Sequence, residues 1–141
     1  MTSIIQFRLP GPLQLPNRKQ NLHWKAKGAI VRKAREKLAW EIRALLNGQM
    51  PAEPFQFASV QVFRHGIIEP DRDNLYFSAK DLMDVLQPST DRRTFGLGII
   101  SDDKPSRCDF DIKHVKAKHR PDQCTVVVIR ELASIALEAA E

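Results

Sequence analysis

Between Ala29 and Leu46, the apolar residues Ile30, Ala34, Leu38, Ile42 and Leu45 recur every three to four positions, the repeat that lines one face of a helix. Asn47-Gly48 ends the run. On either side the period drops to two. Ile4 to Leu9 alternates loosely and stops at Pro10-Gly11-Pro12, and Phe57 to Arg64 alternates again, so both are expected to be strands. A second helical repeat runs from Asn74 to Leu86 and is closed by Pro88. Phe110 to Lys116 and Cys124 to Ile129 are expected to form a final hairpin around Arg120-Pro121-Asp122, and Glu131 to Glu141 a short Ala/Leu helix. No repeat or linker divides residues 1–141. These elements predict one α/β (α+β) domain, a mixed sheet of about four strands with two long helices packed on it.

Composition narrows the class. Hydrophobic residues at 43% and charged residues at 28% give an ordinary globular balance, which argues against a disordered or fibrous chain. No apolar run approaches the length of a bilayer span, and the first residues lack the basic-then-apolar order of a secretory signal. A cytoplasmic protein is the expectation. Cys108 and Cys124 are then expected to be free thiols. With His114 and His119 they form a Cys-x5-His-x4-His-x4-Cys series, but it lacks the tight Cys-x2–4-Cys knuckle of zinc sites and is read as strand and hairpin residues. Trp24 and Trp40 are read as packing residues rather than base-stacking platforms. A formal net charge of +5 favours polyanionic partners without deciding for them.

The informative segment is Glu69-Pro70-Asp71-Arg72-Asp73-Asn74-Leu75, which leads into Lys80, Asp81 and Asp84. In an extended stretch, alternate side chains point the same way, so Asp71 and Asp73 can converge on one cation. In the helix that follows, Asp73, Lys80 and Asp84 fall on one face, and Leu75, Ala79, Leu82 and Leu86 line the opposite one. Further on, Ile99-Ile100-Ser101 leads into Asp102-Asp103. Clustered hard oxygens suit Mg2+, with Mn2+ as a substitute. A structural reading stands beside this one: Asp71 could cap the turn, Asp73 could sit at a helix start where carboxylates are favourable, and Asp102-Asp103 could be a solvated loop. Asp81 and Asp84 read as solvated helix-face acids, and Asn74 as orienting the helix start or an aspartate.

The order of these pieces resembles the RusA family of Holliday-junction resolvases, in its longer, phage-type members. The likeness covers most of the chain: the strand ending in Leu9-Pro10, the Asn21-Leu22-His23-Trp24 loop, the basic helix, the Asp71–Leu75 core and the Asp102-Asp103 pair. It implies a homodimer that cuts four-way DNA junctions with magnesium, in recombination and repair. Asp71, Asp73 and Asp103 would be the metal-binding carboxylates, and Lys80 the basic residue beside the metal. Two features depart from the pattern. Lys80 follows Asp73 by seven residues, where shorter members have four and this chain has Phe77. The loop Gln87 to Gly98, with Arg92 and Arg93, is also longer than the usual connection. Two other functions stay open: a DNA- or junction-binding module without cleavage, and a structure-selective nuclease acting on flaps or RNA.

Overall fold

The computed structural model describes residues 3–14, 24–93 and 95–135, with residues 24–27 as backbone only. The elements run β1 (Ile4–Pro10), α1 (Trp24–Leu45), β2 (Ala58–Gly66), α2 (Arg72–Ser78), α3 (Lys80–Leu86), β3 (Cys108–Lys116) and β4 (Cys124–Glu131), with one 3-10 turn at Arg120–Asp122. The four strands form a mixed sheet in the order β1-β4-β2-β3; β4 is antiparallel to both neighbours and β3 is parallel to β2. The fold class is that expected from the sequence. No helix among the described residues is long and apolar enough to cross a membrane.

Strand alternation sorts the side chains into straight rows across the sheet. Phe7, Val127, Val62 and Ile112 are in register and all buried, and Ile5, Ile129, Val60 and Phe110 form the next row. Both rows face the helices. Ile42 and Ala39 of α1 and Leu82, Val85 and Leu86 of α3 close the core from above. The opposite face carries no helix and mixes Arg8, Gln61, Asp111 and Lys113 with the half-buried Val126, Val128 and Phe63. Beyond the core, one row turns polar: Leu9, Thr125, Arg64 and His114.

Three expectations are corrected. β3 and β4 exist, but they do not form a hairpin, because β2 lies between them. The reason is composition. β4 reads Thr-Val-Val-Val-Ile and is apolar toward both faces, which suits an interior strand, whereas Asp109, Asp111 and Lys113 mark β3 as an edge. The connection between them therefore crosses the end of β2, where Ala117 N–H donates to Gly66 O (2.9 Å) and Ile67 N–H to Gln123 Oε1 (3.2 Å). The second long helix is two short ones meeting at Ala79. The expected tail helix does not begin within 131–135, since Glu131 still belongs to β4; residues 136–141 lie outside the described residues, as does the Asn21–His23 part of the loop before α1.

Trp40 also departs from its packing role. It is 62% exposed, with the Arg43 guanidinium 5.8 Å from its ring centre. The side chain of Trp24 lies outside the described residues. Cys108 and Cys124 are both free and buried. They pair with Ala58 and His65, seven residues apart along β2 and so about 23 Å apart at ~3.3 Å per residue, far too distant for a disulfide or a shared ion.

Candidate functional site

The sequence groups the candidate acids in two places, and in the fold these are two element boundaries, the start of α2 for Asp71 and Asp73 and the loop before β3 for Asp103. Asp71 is extended and caps α2, and Asp73 is the second helical residue. One Asp71 oxygen accepts from the Asn74 backbone N–H (2.9 Å) and the other from the Asn74 side-chain amide (3.2 Å). Asn74 thus orients Asp71, as its position suggested. Capping, which the sequence left as an alternative, is what Asp71 does here, and Asp73 stays exposed one residue into the helix. The apolar face is as expected: Leu75, Ala79, Leu82 and Leu86 are buried. Lys80 is exposed at the first position of α3.

Asp84 is not a solvated helix-face acid. Arg35 of α1 holds it at 2.5 Å while reaching Asp81 at 3.2 Å, and Arg93 approaches it at 3.9 Å. Arg93 also donates to Gln87 Oε1 (3.1 Å), so the long 87–98 loop folds back on α3 and carries this arginine inward. Arg92 remains exposed.

Asp103 sits on the loop that enters β3. Burial first, then the hydrogen bond and charge of Asp102, and finally the charge of Asp84 push its carboxyl above the ordinary range. Asp102 moves the other way, held down by the Lys104 backbone N–H. The carboxylates whose charge raises Asp103 are Asp102 and Asp84. Among the described residues no three His, Cys, Asp or Glu side chains are grouped closely enough to hold an ion. The donors fit magnesium in kind, as exposed carboxylates with like-charge crowding at Asp103, and magnesium commonly keeps several waters on one or two carboxylates.

Two cations that sequence reasoning passed over stand beside Asp102. A cleft of about 330 Å3 is lined by Gln56, Ser101, Asp102, Lys104 and Arg107. Arg107 lies over the Phe57 ring at 4.9 Å, and Lys104 is 3.9 Å from Asp102. Their signal was available in the sequence, as two basic residues within four positions of the acidic pair.

At the other end, the polar row supports the loop that delivers Asp71. Arg64 is only 5% exposed, yet it meets no carboxylate among the described residues. It donates to Leu13 O (3.0 Å) and Ile68 O (3.3 Å), tying the segment after β1 to the segment before Asp71. It also lies 3.3 Å from His114 Nδ1. An arginine has only donors, so Nδ1 must accept and the His114 proton sits on Nε2, a buried atom with no hydrogen-bond partner among the described residues. Burial, then the Arg64 charge, holds the imidazole below its ordinary range.

Two expected results follow at this cluster. Arg64→Met leaves two carbonyls without their charged donor and should cost about 2–3 kcal/mol in urea unfolding; a change below the error of the measurement would remove the clamp role. His114 favours its neutral form when folded, so its contribution is intact above about pH 6.5 and is lost as pH falls through the lowered folded value. His114→Gln should flatten the stability profile over that window, and an unchanged profile would place the titration elsewhere.

No protein-family model matches the chain, and no curated protein matches it.

Proposed function

We propose that the protein is a magnesium-dependent endodeoxyribonuclease that cuts four-way DNA junctions by phosphodiester hydrolysis, acting as a homodimer. The observation that carries this reading is the order of charged groups at successive element boundaries. Asp71-x-Asp73-Asn74 opens α2, Lys80 opens α3, and Asp102-Asp103 precedes β3, which is the order of the RusA-family pattern. A chance Asp-x-Asp would carry little weight without the other pieces.

In this reading Asp71, Asp73 and Asp103 hold magnesium, with water completing its shell. Bound magnesium supplies Lewis-acid contact to a phosphate oxygen and a more acidic water. Lys80, free to move in solvent, offsets charge that builds on the phosphate or leaving oxygen. Lys104 and Arg107 seat a neighbouring phosphate in the cleft beside Asp102. Arg32, Lys33 and Lys37 on the exposed side of α1 add sequence-independent phosphate contacts. Arg93, turned onto Asp84, is not assigned to DNA.

The deciding experiment is a cleavage gel on a synthetic four-way junction with and without magnesium, run beside a flap, a duplex and a structured RNA. Paired nicks at symmetric positions only with metal support the proposal. Cleavage confined to flaps or RNA would move the assignment to a general structure-selective nuclease. The engagement of Asp71 in capping α2 favours one second reading, a junction-binding module without cleavage. Tight metal-independent binding with no product under any divalent ion would establish it.

For the cleft, Lys104→Ala and Arg107→Ala should each weaken junction binding evenly across sequences and lower the salt slope of log K by about 1. Unaltered slopes would mean that these cations do not meet phosphate.

A further inference from the structure

α1 turns a tryptophan to solvent. Trp40 is 62% exposed, although an aromatic ring is among the side chains a core gains most from burying. Its position is the outermost that the helix has. At about 100° per residue, the buried Ile42 lies almost opposite it, and so does Arg35, which is turned onto α3. The side chains that share the outer face with the ring are mostly cations. Lys33 lies two turns earlier, within about 20° of the same line, and Lys37 and Arg43 flank the ring three residues before and after it. The Arg43 guanidinium is 5.8 Å from the ring centre. Arg32, Lys33 and Arg43 meet no carboxylate among the described residues, and Lys37 reaches only Glu41, at 3.8 Å. Glu36 is the one exposed acid between Ile30 and Leu45, against four exposed cations, Arg32, Lys33, Lys37 and Arg43.

We propose that this face of α1 binds an unpaired DNA strand, with one base stacked on the Trp40 indole and the phosphates on either side of it held by Lys37 and Arg43. The phosphate contacts assigned to α1 above are indifferent to whether the strand is paired. The ring is not. Inside a duplex the faces of each base are covered by its neighbours, so a ring on the outside of a helix meets only groove edges and backbone. An unstacked base offers a bare π-face, and an aromatic ring set among cations is the means by which single strands are held without regard to sequence. Charge selects this occupant over an apolar one. An apolar partner seated on Trp40 would take the surrounding cations out of water with nothing to pair them, whereas phosphates pair them. Arg43 serves both parts, since its guanidinium already stands beside the ring and is free to meet a phosphate. The inference extends the nucleic-acid reading, but it concerns binding alone and needs neither magnesium nor cleavage.

The test follows the anisotropy of a labelled oligothymidylate of about 15 nucleotides, titrated with the full chain in EDTA. Trp40→Leu should weaken binding about tenfold, and Trp40→Phe, which keeps a π-face, should lose clearly less. Arg43→Ala should lower the salt slope of log K by about 0.7, the value for one phosphate of a single strand. A blunt duplex of equal length should bind the parent and Trp40→Leu alike. Emission from Trp40 can be read alone in Trp24→Phe, because the chain has two tryptophans; the oligothymidylate should quench it and the duplex should not. Circular dichroism confirms that each variant folds, and the anisotropy measurement leaves Trp24 in place. An oligothymidylate that does not bind the parent, or that binds Trp40→Leu as well as the parent, would overturn the proposal. So would equal quenching by duplex, or by polyglutamate, which would make the face a general acceptor of acidic chains. The two readings fail separately: a parent that holds single strands through Trp40 but cuts no junction loses the nuclease assignment only, and a junction-cutting parent whose Trp40→Leu variant binds single strands unchanged loses this one only.

Discussion

Asp71→Asn, Asp73→Asn and Asp103→Asn should each slow single-turnover cleavage of a magnesium-supplied four-way junction by about two to three orders of magnitude, while junction affinity survives. Asparagine keeps the shape and removes the charge, so a bound cation loses its ligand and the DNA loses a repulsive neighbour. Structure makes these substitutions clean. Asn at position 71 still caps α2, because Asn and Asp are equally good at a helix start. At position 103 the change should not unfold the protein and should slightly stabilise it. The Asp103 carboxyl is raised above its ordinary range, so its share of stability is full at low pH and is lost as pH rises through the folded value. Neutral asparagine removes that loss at pH 7. The group is largely solvent-screened, and the gain is a few tenths of a kcal/mol. A melting temperature unchanged or raised together with lost cleavage marks Asp103 as functional. Near-parent turnover in any one variant would remove that residue from the site, and near-parent turnover in all three would place the chemistry elsewhere.

Gly96→Ala should be the most damaging single methyl in the chain, costing about 3 kcal/mol in denaturant unfolding. A Cβ at Gly96 would run into backbone atoms of Gln87, Pro88 and Ser89, none of which can swing aside as a side-chain tip could. Those atoms belong to a tight return. Pro88 bridges Leu97, the Ser89 hydroxyl accepts from Gly96 N–H (3.0 Å), and Leu97 N–H donates to Val85 O (2.8 Å). Leu97, Ile99 and Ile100 reach the core through this return, and the chain enters the Asp102-Asp103 loop directly after it. Gly48→Ala is a useful contrast: its φ of 73° strains alanine, but no atom lies within 4 Å of the added carbon. Gly96→Ala should therefore exceed Gly48→Ala in cost, and equal losses would show that crowding at the return does not govern its stability.

The sequence was informative wherever one residue's environment depends on its near neighbours. Alternation in Phe57–Arg64 and the repeat Leu75, Ala79, Leu82, Leu86 named a strand and a buried helix face, and the rows of the sheet bear them out. It was less informative where partners are remote. The β3–β4 hairpin followed from a short connection, but insertion of β2 depends on how much apolar surface each strand carries on both faces. Asp84 looked solvated because Arg35, 49 residues away in sequence, is absent from any local reading. Ile30 and Leu45, spaced to be buried, are 40% and 45% exposed, because α1 makes its closest contacts around Ala39 and Ile42. Arg64 was read as the last residue of a strand; its burial comes from carbonyls at Leu13 and Ile68, which no spacing rule connects.

The strand order also sets a timetable for folding. β4 is the last of the four described strands to be made, yet it lies between β1 and β2, and β1 pairs with none of the others. Phe7 therefore waits for Val127. Closing so long a loop carries an entropy cost before any contact repays it, and topologies dominated by such pairings fold slowly. The parallel β2–β3 unit with its α2–α3 crossover is local enough to form first. β1 and α1 must then remain uncommitted until the final strand arrives. A chain cut before Cys124 would lose two strands rather than one, since the first would be left with nothing to pair.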